Sequence, residues 1–288
     1  PLAQALRSGR PLLGWLSFSN AVPGAPPAAY LAIYQPKRRT LDLIYIPAET
    51  RTESNRTLAS IHAAALRGGA EPDPAADRLT EAAASYLAIR VPEYQVWPGL
   101  PIWRAAAPKG SDDPALDARD WLLRRSGGLF WPGILRRTRS PGTAGPGWSW
   151  LDRILLAAEL QRLRPENVRP AWLPPEESIG PVFGRYLSPE PPDPASEHIT
   201  VEVLNASARP GIASRAKNLL RLKGADVMSV GNTDAPRSRT MIYDRTGRFD
   251  NAAEVRRILG CPLARTVTQV DLKRLVDVSV VLAEDCPL

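Results

Sequence analysis

The chain has little of the residue chemistry that usually marks an active centre. Its 288 residues include only two histidines and two cysteines. His62 and His198 stand alone, with no ligand spacing around them, so no zinc or other metal site is expected. No stretch approaches the roughly 18 continuous apolar residues of a membrane span, and no signal peptide is visible. Helix-turn-helix, zinc-finger and RNP-like aromatic motifs are also missing, so a nucleic-acid-binding regulator is not expected. Cys261 and Cys286 flank the last two expected strands. Two buried thiols are the commoner arrangement for such a pair, and a disulfide would need an oxidising compartment.

Proline and arginine are plentiful instead. Thirty prolines are about twice the usual share, and they concentrate between segments. The net charge of +7 suits anionic partners such as polyphosphate, wall glycopolymer, anionic lipid or nucleic acid, without choosing among them. A GC-rich genome would leave the same Arg-Ala-Pro signature. The sequence begins at Pro1 rather than Met, which is compatible with a trimmed N-terminal anchor.

Residues 199–288 read as a small α/β domain. Ile199, Val201 and Val203 alternate with polar residues, as in a half-buried strand. Ile212, Ala216, Leu219 and Leu220 recur at helical spacing between Pro210 and Gly224. Strand-like runs follow at Val227–Val230 and Arg239–Tyr243. A second helix carries Ala252, Val255, Ile258 and Leu259 on one face and stops at Gly260. The runs Ala264–Thr268 and Val276–Leu282 close the pattern. That order is β-α-β-β-α-β plus one strand, which predicts a ferredoxin-like (split-βαβ) fold.

Residues 1–163 predict a second α/β domain with a mixed sheet. Strands are expected at Leu12–Phe18, Tyr30–Tyr34 and Leu41–Ile46, the last two as a hairpin around Lys37-Arg38-Arg39. Helices are expected at Leu58–Leu66 and Ala75–Leu87, with an extended run at Ile89–Gln95. Residues 164–198 are so rich in proline that a semi-rigid polyproline-like spacer is expected. Trp172, Phe183 and Tyr186 would tack it to a neighbouring surface.

Two resemblances add to this reading. VEVLNASARPGIASRAKNLLRLKGADVMSVGN, TMIYDRTGRFDNAAEVRRILG and VDVSVVLAED resemble the LytR C-terminal domain of cell-envelope proteins. The departure lies in the turn after the first strand, where Ala206 and Ala208 replace the usual glycines. More loosely, PLLGWLSFSN, AAYLAIYQPKRRTLDLIYIPAET, LASIHAAALRGGA, DRLTEAAASYLAIRVPEYQ and GILRRTRSP resemble a LytR–CpsA–Psr domain over about residues 10–160. That resemblance implies phosphotransfer of a glycopolymer from undecaprenyl pyrophosphate to peptidoglycan. Such chemistry needs guanidiniums on the pyrophosphate and carboxylates on Mg²⁺.

Measured against that requirement, the chain falls short. The first family aspartate falls at Ser19, the second at Ala28 or Ala29, and a pyrophosphate arginine at Ala48. Glu49 keeps an acid and is the one catalytic candidate. Arg137 and Arg139, with Arg136 beside them, are the anion-binding candidates. Asp152 and Arg153 do not match the family's late helix in spacing.

Plainer readings stand beside these. The arginines form an exposed basic loop, Glu49 caps a turn, and Asp42 lies on the solvent side of its strand. The Asn205–Gly211 turn is structural or holds an anion at a helix start. Trp97, Trp103, Trp121, Trp131, Trp148 and Trp150 build a small core or a glycan-stacking platform. The expectation is a degenerate, non-catalytic envelope protein without cofactor. It would bind wall glycopolymer, peptidoglycan, a polyprenyl-phosphate lipid or an envelope protein, outside the cytoplasm and tethered by a preceding membrane segment. The alternative is an active phosphotransferase using Mg²⁺ with rearranged acids, Glu49 and an arginine pair; whether Asp112, Asp113 or Asp117 replace the missing acids in space is left open.

Overall fold

The computed structural model describes residues 2–20, 22–91, 102–106, 113–125, 150–188 and 198–288. They form two compact units. In the first, α1 (Leu2–Ser8) precedes β1 (Leu12–Ser19), β2 (Ala28–Gln35) and β3 (Thr40–Ile46). Next come α2 (Leu58–Arg67), α3 (Pro72–Arg90), β4 (Ile102–Ala106), α4 (Pro114–Arg125) and α5 (Trp150–Gln161). β5 (Val168–Trp172) and α6 (Glu176–Leu187) close the series.

The strands of this unit lie in the order β4-β1-β2-β3-β5. β1 and β2 are antiparallel, as are β2 and β3, while β4 runs parallel to β1 and β5 parallel to β3. The expected hairpin is therefore present, and Arg39 takes a left-handed φ of 52° in its turn. Strand alternation sends Leu12, Leu16 and Phe18 to one face. There they meet Tyr30, Tyr34 and Trp121 in a buried cluster. Phe18 sits edge-on to both Tyr30 and Trp121, with ring centroids 5.4 Å apart in each case. Trp121 thus belongs to a core.

Asp42 is a correction. It is buried, not solvent-facing, because β3 lies between β2 and β5 and nearly its whole length is covered. The extended run expected from Ile89 is also corrected at its start, since α3 continues to Arg90.

The proline-rich stretch is not an extended spacer over residues 165–187. It contains a 3-10 turn at Pro165–Asn167, then β5 and α6. Two local anchors outweigh the prolines. β5 pairs with β3 in spite of Pro170, and the indole Nε1 of Trp172 donates to Asp113 Oδ1 at 3.0 Å. In α6, Pro181 removes one helical hydrogen bond, while Ile179, Val182, Phe183 and Tyr186 are buried. Gln35 Nε2 also donates to the Tyr186 carbonyl at 2.7 Å.

The second unit comprises β6 (Thr200–Asn205), α7 (Ile212–Leu222), β7 (Asp226–Asn232) and β8 (Met241–Asp244). These are followed by α8 (Phe249–Leu259), β9 (Arg265–Thr268) and β10 (Val278–Leu282). The element order is the one the sequence predicts, but the pairing differs from a split βαβ. The strand order is β9-β8-β10-β6-β7, so β6 pairs directly and in parallel with β7, and β8 with β9. A ferredoxin-like sheet would put another strand inside each pair. The cause is β10: all five of its residues are buried, a pattern suited to a sheet's centre. It inserts between the two βαβ units, parallel to β6 and antiparallel to β8.

The main core of this unit is aliphatic, built from residues such as Val201, Val203, Ile212, Ile242, Val255 and Val280. Gly260 ends α8 with a left-handed φ of 62°, which glycine adopts without steric cost. Cys261 and Cys286 form a disulfide rather than remaining two thiols. Their Cα atoms are 4.9 Å apart, within bridging range.

Candidate functional site

In the first unit β1, β3, β4 and β5 point the same way, so their carboxyl ends share one edge of the sheet. Open α/β sheets bind ligands at that edge. A pocket of about 470 Å³ opens there, past the end of β1. Ser17, Ser19 and Asn20 form its floor, and Val22, Pro23 and Pro27 of the following loop form one wall. His62 and Leu66 of α2 line another side, and Pro72, Asp73 and Ala76 of α3 close it. Ser17 and Ser19 alternate with Leu16 and Phe18, which places the pocket on the face opposite the aromatic core.

Each wall is fixed locally. Thr57 caps α2 by accepting the Ser60 N–H at 3.1 Å. On α2, Leu58, His62 and Ala65 are the buried positions, a four-then-three spacing that turns the imidazole inward with the apolar face. Asn20 Oδ1 accepts the Val22 N–H at 3.1 Å, pinning the start of the loop. At α3, Pro72 and Pro74 in the first turn carry no N–H, so this helix start offers few anion-binding donors.

His62 is the notable side chain. It is 4% exposed, and its Nδ1 has no hydrogen-bond partner among the described residues. Burial lowers its pKa from the usual value, which favours neutral imidazole at neutral pH. No arginine or lysine of the described residues lines the pocket.

The residues singled out by sequence are distributed as follows. Ser19, at the place of the first family aspartate, lines the pocket. Ala28 and Ala29 begin β2. Ala48 and Glu49 lie in the turn after β3, where Glu49 is exposed. The Thr50 N–H donates to the Pro47 carbonyl at 3.0 Å, so backbone closes this turn, not a Glu49 cap. Arg136, Arg137, Arg139 and Asp112 lie outside the described residues, as do Trp97, Trp131 and Trp148. Asp152 and Arg153 fall within α5, and Trp103 within β4.

Glu49, Asp113 and Asp117 each act electrostatically on Tyr45. The Tyr45 phenol has a raised pKa, chiefly through burial and then through the charges of Glu49, Asp117 and Asp113. Asp113 is committed to structure, accepting the Ala115 N–H and the Trp172 indole N–H, both at 3.0 Å. Among the described residues no three acids, histidines or cysteines are arranged to hold a metal ion. No step is derived through Mg²⁺. Tyr30 and Tyr45 lie with the aromatic core, so Asp113 and Asp117 reach the sheet from the face opposite His62.

In the sequence His62 carries no metal motif. Its signal was different: a titratable residue four positions after Leu58, on the buried stripe of a helix. In the second unit, the Asn205–Gly211 turn uses its polar groups internally. Asn205 Oδ1 accepts the Ser207 N–H at 2.9 Å, and Asn205 Nδ2 donates to the Arg209 carbonyl at 3.1 Å.

By architecture the protein is a two-unit α/β chain with a mixed sheet in each unit and a pocket of mixed apolar and polar lining at one carboxyl edge of the first. Residues 198–285 match the family model described as LytR cell envelope-related transcriptional attenuator, so the second unit is a LytR C-terminal domain. The solution structure of the C-terminal domain of RV0431 is similar at 27% identity, covering 33% of this chain and 79% of that one, with a TM-score of 0.22. Overlap of that degree carries no argument about fold. Comparison with curated proteins gave no match. The family match associates the chain with cell-envelope function. Among the described residues no helix is long and apolar enough to cross a membrane.

Proposed function

We propose that this is a cell-envelope protein of the LytR–CpsA–Psr type that binds or scaffolds wall glycopolymer or peptidoglycan without catalysing transfer. The observation that carries the reading is the joining of a LytR C-terminal domain to an α/β unit whose edge pocket, among the described residues, is lined by neutral groups and one acid. A pyrophosphate would need clustered guanidiniums there. The Cys261–Cys286 disulfide supports an extracytoplasmic position, since such bonds persist in oxidising compartments. Tethering by a membrane segment ahead of residue 1 belongs to the same reading.

The test is co-sedimentation of the full chain with insoluble wall material, alongside a phosphate-release assay on a polyprenyl-pyrophosphate glycolipid with Mg²⁺. Saturable sedimentation without release is the expected result. Release that disappears in Glu49→Ala would instead establish the phosphotransferase, the reading favoured by the gathering of Glu49, Asp113 and Asp117 around Tyr45.

A further inference from the structure

We propose that the outer face of α7 binds an anionic polysaccharide through Lys217, Arg221 and Lys223. This rests on the glycan-binding reading above and deepens it by one place, in the second unit, and one charge class.

Charge is unevenly spread over this unit. Residues 198–288 contain 14 lysines and arginines against 10 aspartates and glutamates. Four of the cations, Arg215, Lys217, Arg221 and Lys223, lie on α7 and its C-cap, which carry no acid. One helix therefore holds as much positive charge as the whole unit has in excess. The second helix on the same core, α8, is mixed: Arg248, Arg256 and Arg257 share it with Asp250 and Glu254. There Glu254 Oε2 accepts from Arg257 Nε at 2.8 Å.

The cations of α7 are not cancelled in that way. Arg215 Nη2 is taken up by the main-chain oxygen of Leu288 at 3.1 Å, which leaves the other three. Arg221 Nη2 donates to the Val227 carbonyl at 2.9 Å, a contact that fixes the guanidinium without neutralising it. Among the described residues none of Lys217, Arg221 and Lys223 stands in an ion pair, although Asp226 follows at the start of β7. Charges left in water cost little, and they attract anions over about a Debye length.

The surroundings select the occupant. Ile212, Ala213, Ala216 and Leu220 are buried, so α7 turns Ser214, Asn218 and the cations outward. A bilayer would need an apolar stripe to enter the headgroup boundary, and Leu222 is the one exposed apolar side chain of α7. A folded protein would be met by aromatic and apolar anchors, and lysine is scarce at such contacts. Nucleic acid would need rings for its bases to stack on, and residues 211–223 contain none. A linear charged polysaccharide requires only cations in sequence along a face. At the rise of a helix, Lys217 to Lys223 extend over about 9 Å of the axis.

The test uses the full chain labelled with ¹⁵N, with the amide signals of α7 as the reporter. It would be titrated with polygalacturonate, with the methyl ester of that polymer, whose carboxylates are masked, and with polyphosphate. Vesicles of phosphatidylglycerol and phosphatidylcholine form a separate arm. Two double variants of equal net charge separate a local site from general attraction. One is Lys217→Glu with Lys223→Glu on α7, and the other is Arg239→Glu with Lys273→Glu, both in exposed loops.

At least one polyanion is expected to shift the α7 amides saturably, and the methyl ester to leave them unmoved. The α7 variant should bind about tenfold more weakly, and the loop variant within about twofold of the parent. Raising salt from about 50 to about 200 mM should weaken parental binding roughly 20-fold, as expected for three charge contacts. The site is overturned if neither polyanion moves α7, if the methyl ester moves it as far, or if both variants lose equally. Vesicles that move α7 where the polymers do not overturn it too, in favour of a membrane. Wall sedimentation that persists while polyanions leave α7 unmoved removes this site and leaves the broader function standing. A responsive α7 in a chain that does not sediment with walls does the reverse.

Discussion

The two units are both mixed α/β sheets with helices, yet they are held together by different means. The first packs Phe18, Tyr30, Tyr34 and Trp121 into one face of its sheet. The main core of the second contains no aromatic ring and relies on Val, Ile, Leu and Ala. It adds a disulfide and carboxylate clasps at its strand ends. Asp277 Oδ2 accepts both the N–H and the hydroxyl of Thr200, at 2.9 and 2.8 Å. Asp285 Oδ1 does the same for Thr240, at 2.8 and 2.7 Å. Small aliphatic side chains bury less area each than rings, so this unit gains local bonds that fix its chain ends. The first unit can instead leave a buried imidazole facing a pocket.

That contrast breaks most sharply at its aromatic end. All eight tryptophans lie between residues 15 and 172, so tryptophan emission follows the first unit alone. Phe18→Ala removes a ring that is 1% exposed and touches two others. It should cost about 3–5 kcal/mol, read as a lower denaturant midpoint in tryptophan fluorescence. The second unit's amide exchange should stay unchanged. Equal losses in both units would show that they do not stand on separate cores.

The second unit should respond to its disulfide. The bridge closes a loop of 25 residues. The loop-entropy estimate for that length is about 3.5 kcal/mol. Replacing both cysteines by serine should lower amide protection in β6, β8 and β10 by about that amount and leave tryptophan emission unaltered. An unchanged protection pattern would mean that the clasps alone hold the chain end.

A smaller effect separates a buried acid of this unit from ordinary surface acids. Asp244 is fully buried, and burial raises its pKa. Its Oδ1 accepts the Thr246 N–H at 3.0 Å, and its Oδ2 accepts the Thr268 hydroxyl at 2.9 Å. Asp244→Ala strands those donors and should cost about 1–3 kcal/mol. Asp244→Asn keeps one acceptor and removes the buried charge, so it should cost less. Chemical denaturation of the two variants checks the order, and equal losses would show that the charge itself is required.

How much of this was legible in the sequence follows the same division. The second unit could be read almost element by element, because its strands and helices are short and amphipathic and Gly224 and Gly260 punctuate them. What did not show was the pairing: nothing local in VDVSVVLAED says that β10 inserts between the two βαβ units. In the first unit β5 and α6 were hidden by proline, which local rules treat as a breaker. Their anchors, Asp113 to Trp172 and Gln35 to Tyr186, are 59 and 151 residues apart in sequence. The pocket was hidden for a related reason. Its walls come from β1, the loop after it, α2 and α3, and its chemistry rests on an isolated histidine with no motif.

That histidine gives the smallest expected effect and the one most specific to the first unit. The folded-state pKa of His62 is lowered by burial, so between the unfolded value, near 6.5, and the folded one the unfolded chain binds more protons. Stability therefore rises with pH through that window, and falls as the pH drops below about 6.5. The fall ends once the folded imidazole also takes a proton. His62→Gln cannot take that proton, so the tryptophan-monitored midpoint of the variant should be flatter between about pH 5 and 7. The informative quantity is the wild-type minus variant difference, because the carboxylates titrate equally in both. A difference that stays constant across the window would mean that the folded imidazole protonates as easily as the unfolded one. Burial would then not be holding the imidazole neutral.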